Sequence, residues 1–171
     1  LKAPAEPLLL GNAGTATRFL TAAVSLVEGQ VVVDGDEAMR KRPIGPLVDA
    51  LRSLGIDATS ATGCPPVVIN GTGTFGSGRV EIDGGLSSQY VSALLMAAPF
   101  GDGPIEVALT GKDLDARGYV NLTLAAMRAF GASVAEIDEM SWRVEPTGYK
   151  ATDSISSRTL RRRPICGRLR C

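Results

Sequence analysis

Four short segments of this chain carry the residue types that capture small anions. Gly11 to Arg18 reads Gly-Asn-Ala-Gly-Thr-Ala-Thr-Arg between the apolar run Leu8-Leu9-Leu10 and an Ala/Leu-rich helical run, Phe19 to Leu26. Small residues where a strand turns into a helix let backbone N–H groups approach an anion, and the helix N-terminus adds a partial positive charge. Asn12, Thr15 and Arg18 add side-chain donors suited to phosphate or carboxylate. Met39-Arg40-Lys41-Arg42-Pro43-Ile44-Gly45 puts three cations ahead of a second helix, with Arg42 placed for bidentate capture of an oxyanion; a solvated basic loop reads the same way. Ser87-Ser88-Gln89-Tyr90 opens a third helix, where two hydroxyls either cap that helix or bind an anion. Arg117 and Tyr119 precede a fourth, and Tyr119 fits a site or a core equally well.

The elements that must position these residues follow from periodicity and punctuation. Val31 to Val33, Ile56 to Thr59, Val67 to Ile69, Arg79 to Ile82, Ile105 to Leu109, Ser133 to Ile137 and Trp142 to Glu145 read as strands. Ile44 to Leu54, entered through Pro43 and closed by Gly55, reads as a helix; so do Ser87 to Ala98, stopped by Pro99, and Tyr119 to Phe130, closed by Gly131. Ala50-Leu51-Arg52-Ser53-Leu54-Gly55 recurs as Ala126-Met127-Arg128-Ala129-Phe130-Gly131 at a shift of 76 residues. The predicted architecture is therefore α+β, an α/β repeat in which one unit of strand, helix, strand, helix, strand, strand is used twice. Helices of stacked units bury against each other and sheets face outward, unlike a doubly wound sheet. All four chemistry-bearing segments sit at helix entrances, so the repeat can bring them to one cleft that suits a strongly anionic small molecule.

Composition narrows the chemistry. The 171 residues contain no histidine, which argues against zinc sites and Ser-His-Asp catalysis. Three cysteines form no disulfide framework, and a reducing cytoplasm is the default. No apolar run approaches the length of a membrane span. The net charge of zero conceals a division: Arg158, Arg161, Arg162, Arg163, Arg168 and Arg170 crowd the last 16 positions, and the rest holds 12 basic against 18 acidic residues. An acidic body without a basic–aromatic stripe argues against nucleic acid as a partner.

In this order and spacing LLLGNAGTATRFLTAAV, MRKRPIGPLVDALRSLGIDA, CPPVVINGTG and SSQYVSALLMAAP closely resemble the EPSP synthase (3-phosphoshikimate 1-carboxyvinyltransferase) family, from about Leu8 to Asp153. The resemblance implies the enolpyruvate transferase fold, an inside-out α/β barrel with three βαβαββ units per domain and the active site between two domains; this chain would hold an incomplete domain, residues 1–153. It implies transfer of the enolpyruvyl group of phosphoenolpyruvate to shikimate 3-phosphate, with release of phosphate, by a cytoplasmic, monomeric enzyme that needs no cofactor or metal and is the target of glyphosate. Matched by motif, Asn12, Gly14, Thr15 and Arg42 resemble the phosphoenolpyruvate and glyphosate subsite, and Ser87, Ser88, Gln89 and Tyr119 the shikimate 3-phosphate subsite. Gly14→Ala should then disfavour glyphosate. Ala116 stands where the family often has a serine, which puts that phosphate contact in doubt. The UDP-N-acetylglucosamine enolpyruvyl transferase family is similar but fits less well, because SSQY and MRKRPIG belong to the shikimate branch.

The resemblance places a substrate-binding lysine ahead of Leu1 and the acid–base residues beyond Asp153. No catalytic residue is expected within the chain, which should be inactive alone, at most a non-catalytic binder of shikimate 3-phosphate. Residues 154–171 depart from the family's continuation, Phe-His-Ile-Glu-Pro-Asp-Ala-Ser. Codons can be chosen for Ser154 to Cys171 that give that continuation after restoring one base, so the arginine-rich tail reads as out-of-frame translation. A genuine basic tail for nucleic acid or membrane is the competing reading.

Overall fold

In the computed structural model, which describes residues 2–83, 85, 87–111 and 117–152, two four-stranded sheets are built by one repeated order of elements. The first unit runs β1 (Leu8–Leu9), α1 (Gly14–Ala23), β2 (Gly29–Asp34), α2 (Gly45–Ser53), β3 (Asp57–Ser60) and β4 (Val67–Gly71). The second runs β5 (Gly78–Asp83), α3 (Ser88–Ala97), β6 (Ile105–Thr110), α4 (Arg117–Ala129), β7 (Val134–Asp138) and β8 (Ser141–Val144). The strand orders β1-β2-β4-β3 and β5-β6-β8-β7 correspond one for one. Each sheet has one parallel pair, bridged by a helix, and is otherwise antiparallel. Ala116 and the tail 154–171 lie outside the described residues.

The helices face inward. α3 lies at the centre against α1 and α4, with Val91, Leu94 and Leu95 buried and Tyr90, Ser92, Ala93 and Ala97 buried with them. A helix apolar on nearly every face must sit inside the fold. Burying Leu94 and Leu95 completely contributes about 2 kcal/mol each. β2 and β4 send Val31, Val33, Val67 and Ile69 into the same core, and the second sheet sends Ile105, Val107, Trp142 and Val144. Period-two alternation places these side chains on one face and leaves Glu81, Arg79 and Arg143 on the other.

The boundaries of α2, α3 and α4 move by one or two residues from the expected positions, and α1 begins five residues before the helical run read over Phe19 to Leu26. α2 starts at Gly45, with Pro46 rather than Pro43 in its first turn, where a missing N–H costs nothing. Pro99 does not end α3 abruptly; the chain tightens into a 3₁₀ turn, Ala98–Phe100. A second 3₁₀ turn, Met39–Lys41, has no counterpart in the sequence reading and proves important for the site.

Candidate active site

The Gly11 turn starts from a parallel strand pair. Leu8 and Leu9 of β1 lie opposite Val33 and Asp34 of β2, so the loops leaving both strands emerge side by side. Gly35 makes their contact possible: a Cβ there would stand 2.4 Å from the Gly11 carbonyl oxygen and 2.6 Å from the Met39 Cβ. The Asp36 amide closes the seam by donating to Gly11 O at 3.2 Å. Leu10 donates its amide to Asp34 O at 2.9 Å, which fixes where the turn begins.

α1 then starts at Gly14 without a side-chain cap, because Ala13 occupies the N-cap position. Its first-turn amides therefore remain available to an acceptor from outside the helix. The start of α3 differs. Ser87 is its N-cap, and the Ser87 hydroxyl accepts from the Gln89 amide at 3.3 Å. Capping and ligand binding are compatible here, since a hydroxyl that accepts one bond still has a proton to donate.

Arg42 is held by the turn that sequence patterning did not reveal. Asp34, 6% exposed at the end of β2, accepts from Arg40 Nε at 3.0 Å and from Nη2 at 2.5 Å, and from the Gly35 amide at 2.8 Å. The Arg40 hydrogen bond holds the Asp34 carboxyl below the usual carboxylate range, against the opposing effect of burial. This fork and the Asp36 carboxylate, which accepts from the Met39 amide at 2.9 Å, hold the Met39–Lys41 turn, and the Arg42 amide, bonded to Met39 O at 2.9 Å, follows directly. From there Arg42 reaches the Gly11–Arg18 turn. Its Nη1 lies 2.6 Å from the point a Gly14 Cβ would occupy, and the Arg18 Nη1 lies 3.2 Å from the same point.

Two guanidinium groups thus converge over one glycine. Among the described residues neither forms an ion pair with a carboxylate. Like charges at this separation repel, and a bound anion reverses that repulsion into attraction. Arg18, named in the sequence only as a donor of the turn, is the hub. Its Nη1 donates to Gln89 Oε1 at 2.6 Å, and its guanidinium carbon stands 5.1 Å from the centroid of the Tyr90 ring. Gln89 Nε2 donates to Thr15 Oγ1 at 2.9 Å. These residues lie 71 to 74 positions apart, so local pattern carried no trace of the contact.

Beside the cradle a cavity of about 450 Å³ opens between the starts of α1, α3 and α4. Thr15, Ser88, Gln89, Ser92, Tyr119 and Thr123 supply its polar lining. Tyr119 belongs to this cavity and not to a core, being 70% exposed in the first turn of α4. Asn12 is exposed at the rim of the turn and offers its backbone carbonyl to the Gly14 amide at 3.1 Å. Of the eight residues matched by motif, Gly14 and Arg42 meet at the cradle, Thr15, Ser88, Gln89 and Tyr119 line the cavity, Asn12 stands exposed in the turn and Ser87 caps α3; Arg18 joins cradle and cavity through Gln89. Among the described residues no group of three metal-ligating side chains occurs, and no helix is long and apolar enough to cross a membrane.

Repeated βαβαββ units with buried helices, and anion donors gathered at the helix starts, define the enolpyruvyl transferase class. An EPSP synthase from Acinetobacter baumannii superposes with a TM-score of 0.69 at 27% identity, over 86% of this chain and 33% of that one. The enolpyruvyl transferase NikO from Streptomyces tendae shares the fold, with a TM-score of 0.54 at 16% identity over 78% of this chain and 30% of its own. The family model for EPSP synthase (3-phosphoshikimate 1-carboxyvinyltransferase) matches residues 1–156, and the chain belongs to that family. A 3-phosphoshikimate 1-carboxyvinyltransferase of Rhizobium leguminosarum bv. trifolii is 66% identical over 155 residues, 91% of this chain and 37% of the relative. One from Pseudomonas savastanoi pv. phaseolicola is 66% identical over 152 residues, 89% and 36% respectively. The chain thus spans little more than a third of the length of these relatives.

Proposed function

We propose that the chain forms one wall of a 3-phosphoshikimate 1-carboxyvinyltransferase active site, binding phosphoenolpyruvate at the cradle and shikimate 3-phosphate in the cavity. The observation that carries this reading is the convergence of Arg18 and Arg42 over Gly14, beside a hydroxyl-lined cavity. Asn12, Gly14, Thr15 and Arg42 hold the carboxylate and phosphate of phosphoenolpyruvate through α1 amides and a guanidinium fork. Glyphosate takes the same space. Ser87, Ser88, Gln89 and Tyr119 hold shikimate 3-phosphate by neutral donors, which suits a hydroxylated ring carrying one phosphoryl group.

Catalysis asks for more than this wall supplies. Transfer of the enolpyruvyl group requires a proton delivered to the methylene carbon of phosphoenolpyruvate and removed again. The cradle donors, backbone amides, hydroxyls and guanidinium groups, stabilise developing charge and are not the carboxyl, imidazole or amine groups that ordinarily shuttle such a proton. The 171-residue chain therefore binds without turnover. The reading also carries a cytoplasmic, monomeric setting, and takes residues 154–171 as the product of a shifted reading frame, which the coding DNA around Asp153 decides. Calorimetric titration of the chain with shikimate 3-phosphate, run beside a turnover assay, tests the main claim. Saturable binding with no product supports it; product formation removes the non-catalytic part, and absence of binding removes the site.

A further inference from the structure

One polar side chain interrupts the apolar middle of α3. Ser92 is 3% exposed, among Val91, Ala93, Leu94 and Leu95, all of them buried. A hydroxyl in such surroundings is costly unless it is bonded. Its partner stands on the neighbouring helix: Ser92 Oγ lies 2.8 Å from Thr123 Oγ1 of α4. Thr123 in turn donates to the Tyr119 carbonyl at 3.0 Å, one turn back along α4. Ser92, Thr123 and Tyr119 all line the cavity.

Donor accounting gives this chain of bonds a direction. A hydroxyl has one proton to donate. Thr123 gives its proton to Tyr119 O, so both bonds form only when Ser92 is the donor to Thr123. The bonds run one way, from α3 into the first turn of α4.

We propose that Ser92 and Thr123 are positioning residues that fix where Tyr119 stands in the cavity, and thereby set the affinity for a hydroxylated ring carrying a phosphoryl group. The inference rests on the assignment of Tyr119 to shikimate 3-phosphate made above.

The physical basis is the difference between apolar and polar contacts. α4 is held to the core by the buried stripe Val120, Leu124 and Met127. Such contacts are non-directional, so they tolerate a small rotation or slide of the helix. Hydrogen bonds weaken steeply away from their preferred distance and angle, and so resist it. Tyr119 is 70% exposed, and among the described residues no hydrogen bond reaches its hydroxyl. Its place therefore follows from the helix turn that carries it. Thr123, four residues on, lies on the same face of α4, and its branched Cβ restricts the side chain that must serve two partners at once. A purely stabilising role fits the pair poorly. Replacing both members of a buried hydrogen-bonded pair by apolar groups of the same shape is nearly neutral for stability. What such a change removes is the directional constraint, and the loss falls on Tyr119.

The test is calorimetric titration of the full 171-residue chain with shikimate 3-phosphate, with a thermal melt of each variant. Thr123→Val keeps the branched shape but leaves the Ser92 hydroxyl without its acceptor. It should lower the melting temperature and weaken binding about fivefold. Adding Ser92→Ala removes the stranded donor, so the melting temperature should return most of the way to the parent's while a loss of about fivefold in affinity remains. Thr123→Ser retains the hydroxyl and should bind within about twofold of the parent. A Tyr119→Phe background, which removes the contact that positioning serves, separates positioning from direct contact. If Thr123 acts through Tyr119, Thr123→Val should weaken binding there by no more than about 1.5-fold. Full additivity in that background overturns the inference and leaves the subsite assignment standing. So does parent affinity in the double variant Ser92→Ala/Thr123→Val, or an affinity that merely follows melting temperature across the variants. Absence of saturable binding by the parent chain, or full affinity in Tyr119→Phe, overturns the assignment of Tyr119 and the inference with it.

Discussion

The Gly14 backbone lies directly under the Arg42 guanidinium, so close that a methyl group on residue 14 would stand 2.6 Å from Nη1. Gly14 is buried in the first turn of α1 and has ordinary helical backbone, so alanine suits its conformation. Gly14→Ala gains about 1 kcal/mol of helix propensity at most. The clash falls on the far end of a flexible side chain, which moves aside without disturbing the core. Stability and binding therefore part company. The melting temperature should hold or rise slightly, while phosphoenolpyruvate affinity falls at least about tenfold, or about 1.4 kcal/mol. Differential scanning calorimetry and titration calorimetry on one preparation check both halves. A large drop in melting temperature would contradict the argument.

The fork between the buried Asp34 carboxylate and the half-exposed Arg40 predicts an acid-sensitive loop. The folded Asp34 carboxyl titrates below its unfolded value of 3.8, because the Arg40 hydrogen bond favours the ionised form. A lowered folded value means that the stabilisation is complete above 3.8 and disappears as the pH falls further, through the folded value. Asp34→Asn should remove this acid limb and lower the melting temperature at neutral pH. It should also weaken anion binding about threefold, because the turn that presents Arg42 loses its anchor. Melting curves from pH 2 to 7 check the first part, and an unchanged acid limb in the variant would show that other carboxylates dominate.

How far these features were legible beforehand depended on the range of the interaction. β2, β4 and α2 stand close to where Val31 to Val33, Val67 to Ile69 and Ile44 to Leu54 placed them, because apolar periodicity and glycine stops are local signals. Gly14, Ser88 and Tyr119 were legible as helix-start residues for the same reason. The Met39–Lys41 turn was not read, although Asp36, whose carboxylate accepts from the Met39 amide, is a local turn signal; the second restraint, Arg40 reaching back to Asp34, is a pairing that no periodicity encodes. Pro43 was taken for the helix entry because proline favours a first turn, yet Pro46 occupies that place and leaves Pro43 O free to accept from Tyr90. Arg18 was visible as a donor, but its role depends on Gln89, 71 residues away, and only the packing of α1 on α3 reveals it.

Tyr149 offers a test at the opposite end of the pH scale. Burial raises its hydroxyl to about 12, from an ordinary value of 10.0, and the hydroxyl donates to Met96 O at 3.0 Å. A raised value in the folded state means the neutral form is favoured there. The contribution is complete below 10 and is lost as the pH rises toward 12. Ultraviolet titration at the phenolate band should show a late step that is absent in Tyr149→Phe. If that variant leaves the late step in place, Tyr149 is not its source.

The seam between the two units supplies the contrast to Gly14. Gly76 packs on the end of α2, and a Cβ on residue 76 would stand 1.8 Å from the Leu54 carbonyl oxygen. Here the obstacle is backbone, which no rotamer change relieves, and the neighbouring Phe75 is fully buried. Phe75 is also fixed on both sides, its amide donating to Phe100 O at 3.3 Å and its carbonyl accepting from Asp102 at 2.8 Å. Gly76→Ala must therefore push the units apart or break that ladder, costing about 3 kcal/mol or more. The single tryptophan, Trp142, is fully buried in the second sheet and reports on that unit alone, whereas far-ultraviolet dichroism reports on both. In the parent chain the two denaturant transitions should coincide, because α1, α3 and α2 share one core across the seam. In Gly76→Ala both should shift to lower denaturant, and the dichroism transition should broaden ahead of the Trp142 signal as the seam gives way first. Coincident and unshifted transitions in the variant would mean that the seam carries no such tight contact.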